Sequence, residues 1–193
     1  MQGHTQAQLQ ERRGDIRLPK GIAGRVFARA AAGRWAILPI MALAVLALAA
    51  VACTPQQVME ANLGVGINKM RMEKGLPPLP FDPGLSAVAR MRAEDMAQKN
   101  YFGHQPPDGC DFRCLLYKQG VPVAWGGEII AWNNAPPAKA VSMSLELWKS
   151  SPAHYGIVMG CQFSRFGTGA AIAPDGRVYH VALFEGNAAC QPQ

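Results

Sequence analysis

The chain has 193 residues and a mass of 20.7 kDa, with 49% hydrophobic and 17% charged residues. This composition predicts one folded domain with an appendage and excludes a disordered chain. The formal net charge of +6 lies almost entirely in residues 1–52, which hold seven basic and two acidic side chains, whereas the remainder holds twelve and eleven. A nearly neutral body lacks the positive surface of a nucleic-acid-binding protein.

Residues 36–52 form an apolar run of 17 residues that follows Arg29 and Arg34. This length is typical of the apolar region of a signal peptide and lies at the short end for a membrane span. The positive charge before the run places its start in the cytoplasm. We therefore expect everything after residue 52 to be exported across a membrane.

The apolar run ends at Ala50-Val51-Ala52-Cys53, which resembles the lipobox of bacterial lipoproteins. The resemblance implies cleavage before Cys53, a diacylglyceryl group on that cysteine, and attachment to the extracytoplasmic side of a membrane. The alternatives are an ordinary signal peptide cut near Ala52 and an uncut anchor.

Four further cysteines follow Cys53, and four cysteines in an exported domain predict two disulfides with three possible pairings. Cys161 and Cys190 bracket an apparent hairpin, so we expect them to pair and to close a loop of about 30 residues. Cys110 and Cys114 would then pair locally, which requires a loop or a distorted turn. A zinc cluster is disfavoured, because these four cysteines contain no second closely spaced pair.

The first half of the exported part predicts three helices. A short tether over residues 54–57 leads into a helix over residues 58–74, which Gly75 ends. Asp82 and Pro83 predict the start of a second helix that runs to Lys99, and residues 111–119 predict a short third helix. One face of the second helix carries, at helical spacing, Leu85, Val88, Ala89, Arg92 and Met96.

The second half alternates strands and helices. Residues 126–132 predict a strand, residues 138–150 a helix, and Ser151 with Pro152 the start of a further short helix. Strands over residues 165–173 and 177–185 are joined by a turn at Pro174-Asp175-Gly176. This order predicts an α+β fold with an antiparallel sheet.

Large aromatic side chains predict parts of the core. We expect Trp148 to be buried, and we expect Trp125 and Trp132, which flank Glu128, to pack in the core rather than line a cleft. His180 lies within an apolar strand, where a histidine is more often a packed, hydrogen-bonded residue than a ligand.

Five short motifs occur in a fixed order: Gly75-Leu76-Pro77-Pro78-Leu79, Tyr101-Phe102-Gly103-His104, Gly127-Glu128-Ile129-Ile130-Ala131, Ser151-Pro152-Ala153-His154 and Gly167-Thr168-Gly169. In these motifs the chain resembles the CAP superfamily (cysteine-rich secretory, antigen 5, pathogenesis-related 1) in its bacterial branch. The resemblance implies an α-β-α sandwich. We divide the chain accordingly into a leader (residues 1–52), a tether (53–59) and a CAP domain (60–190).

The resemblance also implies a cleft with two histidines and two acidic residues. Carried over, the histidines are His104 and His154 and the first acid is Glu128, whereas the position of the second acid holds Ser151. Two neutral imidazoles and a carboxylate suit Zn²⁺ or another divalent cation and leave a position for water or substrate. Alternatively, these three side chains hydrogen-bond one another and only stabilise the fold.

The first functional hypothesis is an exported, lipid-anchored, noncatalytic binding module. Its ligand would be a small molecule, a cell-envelope polymer, or a lipid, since the family includes sterol- and lipid-binding members. The second hypothesis is a metal-dependent hydrolase of peptides or envelope material with His104, Glu128 and His154 as catalytic residues, and the third is a structural module. The sequence has neither a His-Glu-x-x-His motif nor a Gly-x-Ser-x-Gly elbow, which disfavours the hydrolase.

Overall fold

The computed structural model describes residues 53–121 and 124–186, all within one unit, Ala49–Gln193. The predicted leader, residues 1–52, and Cys190 lie outside the described residues. Within the described ranges, no helix is both long enough and apolar enough to cross a bilayer.

The first helix, α1 (Pro55–Met72), begins three residues before the predicted position. Thr54 and Gln57 form a capping box, in which the Thr54 hydroxyl accepts from the Gln57 backbone and the Gln57 side chain accepts from the Thr54 backbone. The prediction of a tether over residues 54–57 is therefore wrong, because a Thr-x-x-Gln cap starts the helix there. Gly75, at φ +74°, follows the helix end as predicted.

Aspartate caps begin the next two helices, α2 (Pro83–Lys99) and α3 (Phe112–Lys118). The cap at Asp82 is the predicted one, and α3 lies within the range predicted for a short helix, residues 111–119. Asp82 Oδ1 accepts from the Leu85 backbone at 2.8 Å, and Asp111 Oδ1 accepts from the Cys114 backbone at 3.0 Å. The cap at Asp111 also places Cys110 just ahead of the helix, where it pairs with Cys114.

The cysteines follow the predicted arrangement as far as the structure describes them. Cys110 and Cys114 form a disulfide with their Cα atoms 5.2 Å apart, which confirms that pairing. Cys161 is disulfide-bonded, while its predicted partner Cys190 lies outside the described residues, so that pairing stays a prediction. Cys53 is free and exposed.

The sheet has three antiparallel strands in the order β1 (Trp125–Asn133), β3 (Val178–Gly186), β2 (Arg165–Ile172). The predicted terminal hairpin is confirmed, with Gly176 at φ +86° in its turn. Between β1 and β2 the chain forms α4 (Pro137–Ser150) and α5 (Pro152–Val158).

Helices cover both faces of this sheet, so the α-β-α sandwich is confirmed. Tyr179, Val181 and Leu183 of β3 pack with α2 and α3 on one face. Ala182 and Phe184 pack on the other face, in a cluster to which α1, α4 and α5 contribute. Because β3 is buried along its whole length, the core lies on both sides of the central strand.

Two glycines of β2 let α2 approach the sheet closely. A Cβ atom at Gly169 would lie 2.1 Å from the carbonyl carbon of Ala89, and one at Gly167 would lie 2.3 Å from the Ser86 nitrogen. Any larger residue would push α2 away, which is the physical reason for glycine at both positions.

Two of the three tryptophan predictions are wrong. Trp148 is fully buried as expected, but Trp125 is 53% exposed and Trp132 is 37% exposed. Trp125 is the first residue of β1, which is an edge strand. Trp132 has the Arg177 guanidinium 5.6 Å above its ring, a contact that a partly exposed aromatic side chain can make at the surface.

Candidate functional site

A buried ion pair lies at the centre of the site. Arg92 of α2 donates from Nε to Oε1 of Glu128 on β1 at 2.9 Å, and both side chains are almost fully buried. Arg92 also donates from Nη1 to the Tyr101 hydroxyl at 2.6 Å, and from Nη2 to the carbonyls of Gly103 at 2.8 Å and His104 at 3.2 Å. One guanidinium therefore fixes both the carboxylate and the loop that carries His104.

His104 is held by the same carboxylate. Its Nδ1 lies 2.7 Å from Oε2 of Glu128, while 57% of the side chain is exposed. Each oxygen of Glu128 thus has one partner, Arg92 or His104. The bond occupies Nδ1 of His104 and leaves Nε2 for another ligand.

His154 reaches the site from the first turn of α5. Ser151 caps this helix, with its hydroxyl accepting from the His154 backbone at 3.5 Å, as predicted. The His154 ring lies 6.4 Å from the His104 ring between centroids, at an interplanar angle of 53°. Burial lowers the pKa of His154, and the nearby His104 lowers it further, so the imidazole is neutral at neutral pH and can act as a ligand.

Gly127 lets α5 lie against the start of β1. A Cβ atom there would be 3.0 Å from Cγ2 of Ile157 and 2.9 Å from Cζ of Phe163. A larger residue would force the side chains of Ile157, on the helix that carries His154, and Phe163 to move. Gly127 therefore contributes to the site by allowing close packing, and it also lines the depression next to Glu128.

We call His104, Glu128 and His154, together with the depression that His104 and Glu128 line, the histidine cleft; His154 is not among the residues that line this depression. This depression has a volume of about 390 Å³, within the range of small-molecule sites. Gln105, Asp111 and Arg113 give it a polar rim.

Arg113 is the rim cation, and its position is fixed. It lies 4.5 Å above the ring of Phe112, it donates from Nη2 to the Gly126 carbonyl at 3.1 Å, and its side chain is 59% exposed.

The arrangement fits a metal site with two imidazole ligands better than one with three ligands. Both oxygens of Glu128 are already hydrogen-bonded, and in the part of the chain that the structure describes, no three His, Cys, Asp or Glu side chains are grouped as metal ligands. Imidazoles that share a tetrahedral ion have ring centroids about 5 Å apart. His104 and His154, at 6.4 Å, would therefore have to approach by about 1 Å. Glu128 as a third metal ligand stays a prediction.

Sequence reasoning missed the role of Arg92, together with its partner Tyr101. The signal was present, because Arg92 falls on the apolar face of a predicted helix, where a charge needs a buried partner. Tyr101 in turn donates its hydroxyl to Oδ2 of Asp95 at 2.6 Å, and burial with this hydrogen bond raises the pKa of Tyr101 to about 12.

These features match one known family. A model of the cysteine-rich secretory protein family (CAP) matches residues 66–184, which is more than half of the chain. The chain belongs to this family, and the resemblance seen in its motifs is confirmed.

Relatives include a curated protein and solved structures. Uncharacterized protein YkwD of Bacillus subtilis is 34% identical over 103 residues, which make up 53% of this chain and 38% of YkwD. An extracellular SCP-domain protein of Bacillus anthracis is 23% identical with a TM-score of 0.60, over 68% of this chain and 41% of that one. The chain therefore spans less than half the length of either relative.

Two further structures are similar at lower identity. An outer surface protein of Borrelia burgdorferi is 20% identical with a TM-score of 0.57, over 65% of this chain and 90% of that one. Manganese-bound Ac-ASP-7, an Ancylostoma-secreted protein, is 15% identical with a TM-score of 0.48, over 74% of this chain and 75% of that one. The two bacterial structures show that extracellular and surface proteins share this fold.

Proposed function

We propose that this CAP domain is a noncatalytic binding module that works outside the cytoplasm, and that its histidine cleft takes a polar ligand together with a divalent cation. One observation carries the proposal. Glu128 holds Nδ1 of His104 at 2.7 Å, which leaves Nε2 of His104 as a free ligand atom beside the neutral imidazole of His154.

His104 and His154 would hold the cation, and Glu128 would orient His104. A carboxylate on the far nitrogen of a metal-binding histidine fixes its tautomer and makes it a stronger ligand. Arg92 in turn fixes the carboxylate from within the core. A bound divalent cation would supply a positive centre for an anionic or carbonyl oxygen of the ligand, and Arg113 on the rim would supply a second.

The position of Glu128 favours binding over hydrolysis. A metal-dependent hydrolase needs a base that can accept a proton from water. Glu128 is 1% exposed at its side chain, and both of its oxygens have partners within the protein. Water therefore has little access to this carboxylate.

Metal-linked stability tests the cleft. The purified chain is melted with chelator, with Zn²⁺ and with Mn²⁺, in the wild type and in His154→Ala. At a metal concentration of about 100 times Kd we expect a gain of about 2.7 kcal/mol in unfolding free energy that His154→Ala lacks. Glu146→Gln, an exposed acid on α4, is the matched control and should keep the full gain. No response in the wild type, or an equal response in His154→Ala, would contradict the proposal.

We also propose that Cys53 anchors the chain through a diacylglyceryl group on the extracytoplasmic side. Cys53 is exposed and lies two residues before α1, so a membrane enzyme could reach its thiol. Mass spectrometry of the mature amino terminus tests this. We expect an acylated cysteine at position 53 and release of Cys53→Ser from the membrane fraction. An unmodified amino terminus near residue 53 would contradict it.

A further inference from the structure

A second cavity, of about 590 Å³, runs along the outer side of α1, away from the histidine cleft. One of its walls is a stripe of α1 that includes Val65 and Met72, and Phe81 stands on the other wall with Phe166 at the floor. We call this cavity the α1 groove. Val65, Met72 and Phe81 are 69%, 55% and 49% exposed, so a continuous apolar surface is open to water.

The polar side chains of the α1 groove are Gln57, Glu60 and Asn68, and each has a partner within the chain. Asn68 donates to the Leu79 carbonyl and accepts from the Leu79 amide, both at 2.9 Å. Glu60 accepts from Arg90 at 2.7 Å, and Gln57 is used in the capping box of α1. Glu60 and Asn68 have their partners within the chain and can be covered by hydrocarbon at little cost. The exposed Gln57, at the start of α1, pairs only its Oε1, so its Nε2 must stay in contact with water or lipid headgroups.

The α1 groove begins next to the proposed membrane attachment. The apolar run of residues 36–52 ends one residue before Cys53, and α1 starts two residues after it. Val58, Val65 and Met72 are seven residues apart, so they share one side of α1 and span about 21 Å along its axis. A chain held at Cys53 therefore has this exposed apolar side within reach of the bilayer.

We infer that α1 lies flat on the bilayer to which Cys53 holds the chain, with lipid hydrocarbon in the α1 groove and against Val58, Val65, Met72 and Phe81. The inference uses the anchoring proposed above and does not use the metal site. The occupant is the hydrocarbon of the membrane surface, because beyond Gln57 at its end the groove offers apolar contact without an unpaired polar side chain.

This docking would set the direction in which the histidine cleft faces. The α1 groove includes Phe166 of β2, whereas Glu128 lies on β1, and these strands are the two edges of the sheet. Contact through the β2 edge turns the cleft at the β1 edge away from the membrane. The ligand of the cleft would then come from the space beyond the membrane rather than from the bilayer.

The test uses the full chain, coupled through the Cys53 thiol to a maleimide-headgroup phospholipid in phosphatidylcholine–phosphatidylglycerol vesicles. This coupling holds the chain at a bilayer whether or not cells acylate Cys53. A phospholipid with a diazirine in its acyl chain then labels residues that contact hydrocarbon. We expect α1 to carry at least about fivefold more label than α4. The comparison is matched, since Met143 and Leu147 of α4 are 47% and 46% exposed.

Variants make the result specific. Val65→Glu should remove the excess label on α1, and Met72→Glu should do the same if the first variant misfolds, whereas Leu147→Glu should leave it unchanged. Equal labelling of α1 and α4 would overturn the inference. Protection of Met72 from hydroxyl-radical oxidation without acyl-chain label would also overturn it, because another segment or a second copy would then cover the groove. An unacylated Cys53 in cells would contradict only the anchoring.

Discussion

Two buried polar clusters lie on opposite faces of the same sheet. The first binds an exposed histidine at its edge, and the second contains a buried histidine. On the α2 face, the ion pair of Arg92 and Glu128 holds the exposed His104, and we call these residues the charged cluster. On the α4 face, His180 is fully buried, with its Nδ1 2.7 Å from the Ser144 hydroxyl. Asn133 completes this second cluster, which we call the neutral cluster, by donating to the Ser144 hydroxyl at 3.0 Å.

The difference between the clusters lies in charge and access. His104 faces solvent and has a carboxylate partner, which leaves Nε2 free for a ligand. His180 has only a hydroxyl partner, and burial lowers its pKa to about 4, so it stays neutral over the physiological pH range. The same residue type is therefore available for the proposed binding on one face and serves packing on the other, because partner and exposure differ.

Removing the guanidinium of the charged cluster should have the largest effect. Arg92→Met leaves Glu128 buried without its cation, which should cost about 3–5 kcal/mol of unfolding free energy. Urea denaturation measures this. The double variant Arg92→Met/Glu128→Gln should recover part of the loss, because no buried charge then lacks a partner. A loss below about 1 kcal/mol in the single variant would mean that the pair is solvated rather than buried.

The neutral cluster should make stability depend on pH. His180 has a pKa of about 4 in the folded chain and near 6.5 when unfolded, so between these values the unfolded state binds the extra proton. The contribution of neutral His180 to the unfolding free energy is therefore complete above pH 6.5. As the pH falls toward 4, about 3 kcal/mol of that free energy is lost.

His180→Asn is the control variant, because asparagine does not titrate. The carboxylates of the wild type and of the variant bind protons alike as the pH falls, so their effect on stability cancels in the comparison. Urea denaturation from pH 7 to pH 4 should show a steeper loss in the wild type than in His180→Asn. Parallel curves would show that His180 can be protonated in the folded state without cost.

The fold could be predicted largely from local signals. Asp82 and Ser151 are helix caps with unambiguous sequence patterns, and Pro174-Asp175-Gly176 specifies the turn of the hairpin. The start of α1 was missed because the capping residues Thr54 and Gln57 precede the apolar periodicity that the prediction followed. Local patterns also do not indicate which strand lies at an edge, which is why Trp125 was placed in the core.

The site could be predicted only in part. The resemblance supplied His104, Glu128 and His154, and the structure brings the two histidine rings within 6.4 Å and His104 against Glu128. It did not supply Arg92, because a helical arginine has no partner that can be read from spacing alone. The α1 groove was also missed, since apolar residues at helical spacing look the same in sequence whether they are buried or exposed.

Within the neutral cluster, Ser144→Ala should cost about 1–3 kcal/mol at pH 7, because it removes the partner of the buried His180 Nδ1 and one hydrogen bond of Asn133, which keeps its bond to the Ala140 carbonyl. Ser142→Ala, on the exposed side of the same helix, is the matched control and should change stability by less than about 0.5 kcal/mol. Equal effects in the two variants would mean that the buried hydroxyl contributes little.

In the charged cluster, Glu128→Gln should weaken the binding of Zn²⁺ by about tenfold, because the amide orients His104 less strongly than the carboxylate does. Calorimetric titration of the folded variant measures this. An unchanged affinity for Zn²⁺ would show that Glu128 does not support the metal site. A complete loss of Zn²⁺ binding would favour Glu128 as a direct ligand.

The central claim is that His104 and His154 act together at one site while His180 does not. Imidazole ¹⁵N spectra of the chain during titration with Zn²⁺ test it directly. The account predicts that Nε2 of His104 and a ring nitrogen of His154 shift together and saturate at one equivalent of metal, with His180 unmoved. A response from only one of the two rings, or separate saturation of each, would contradict it.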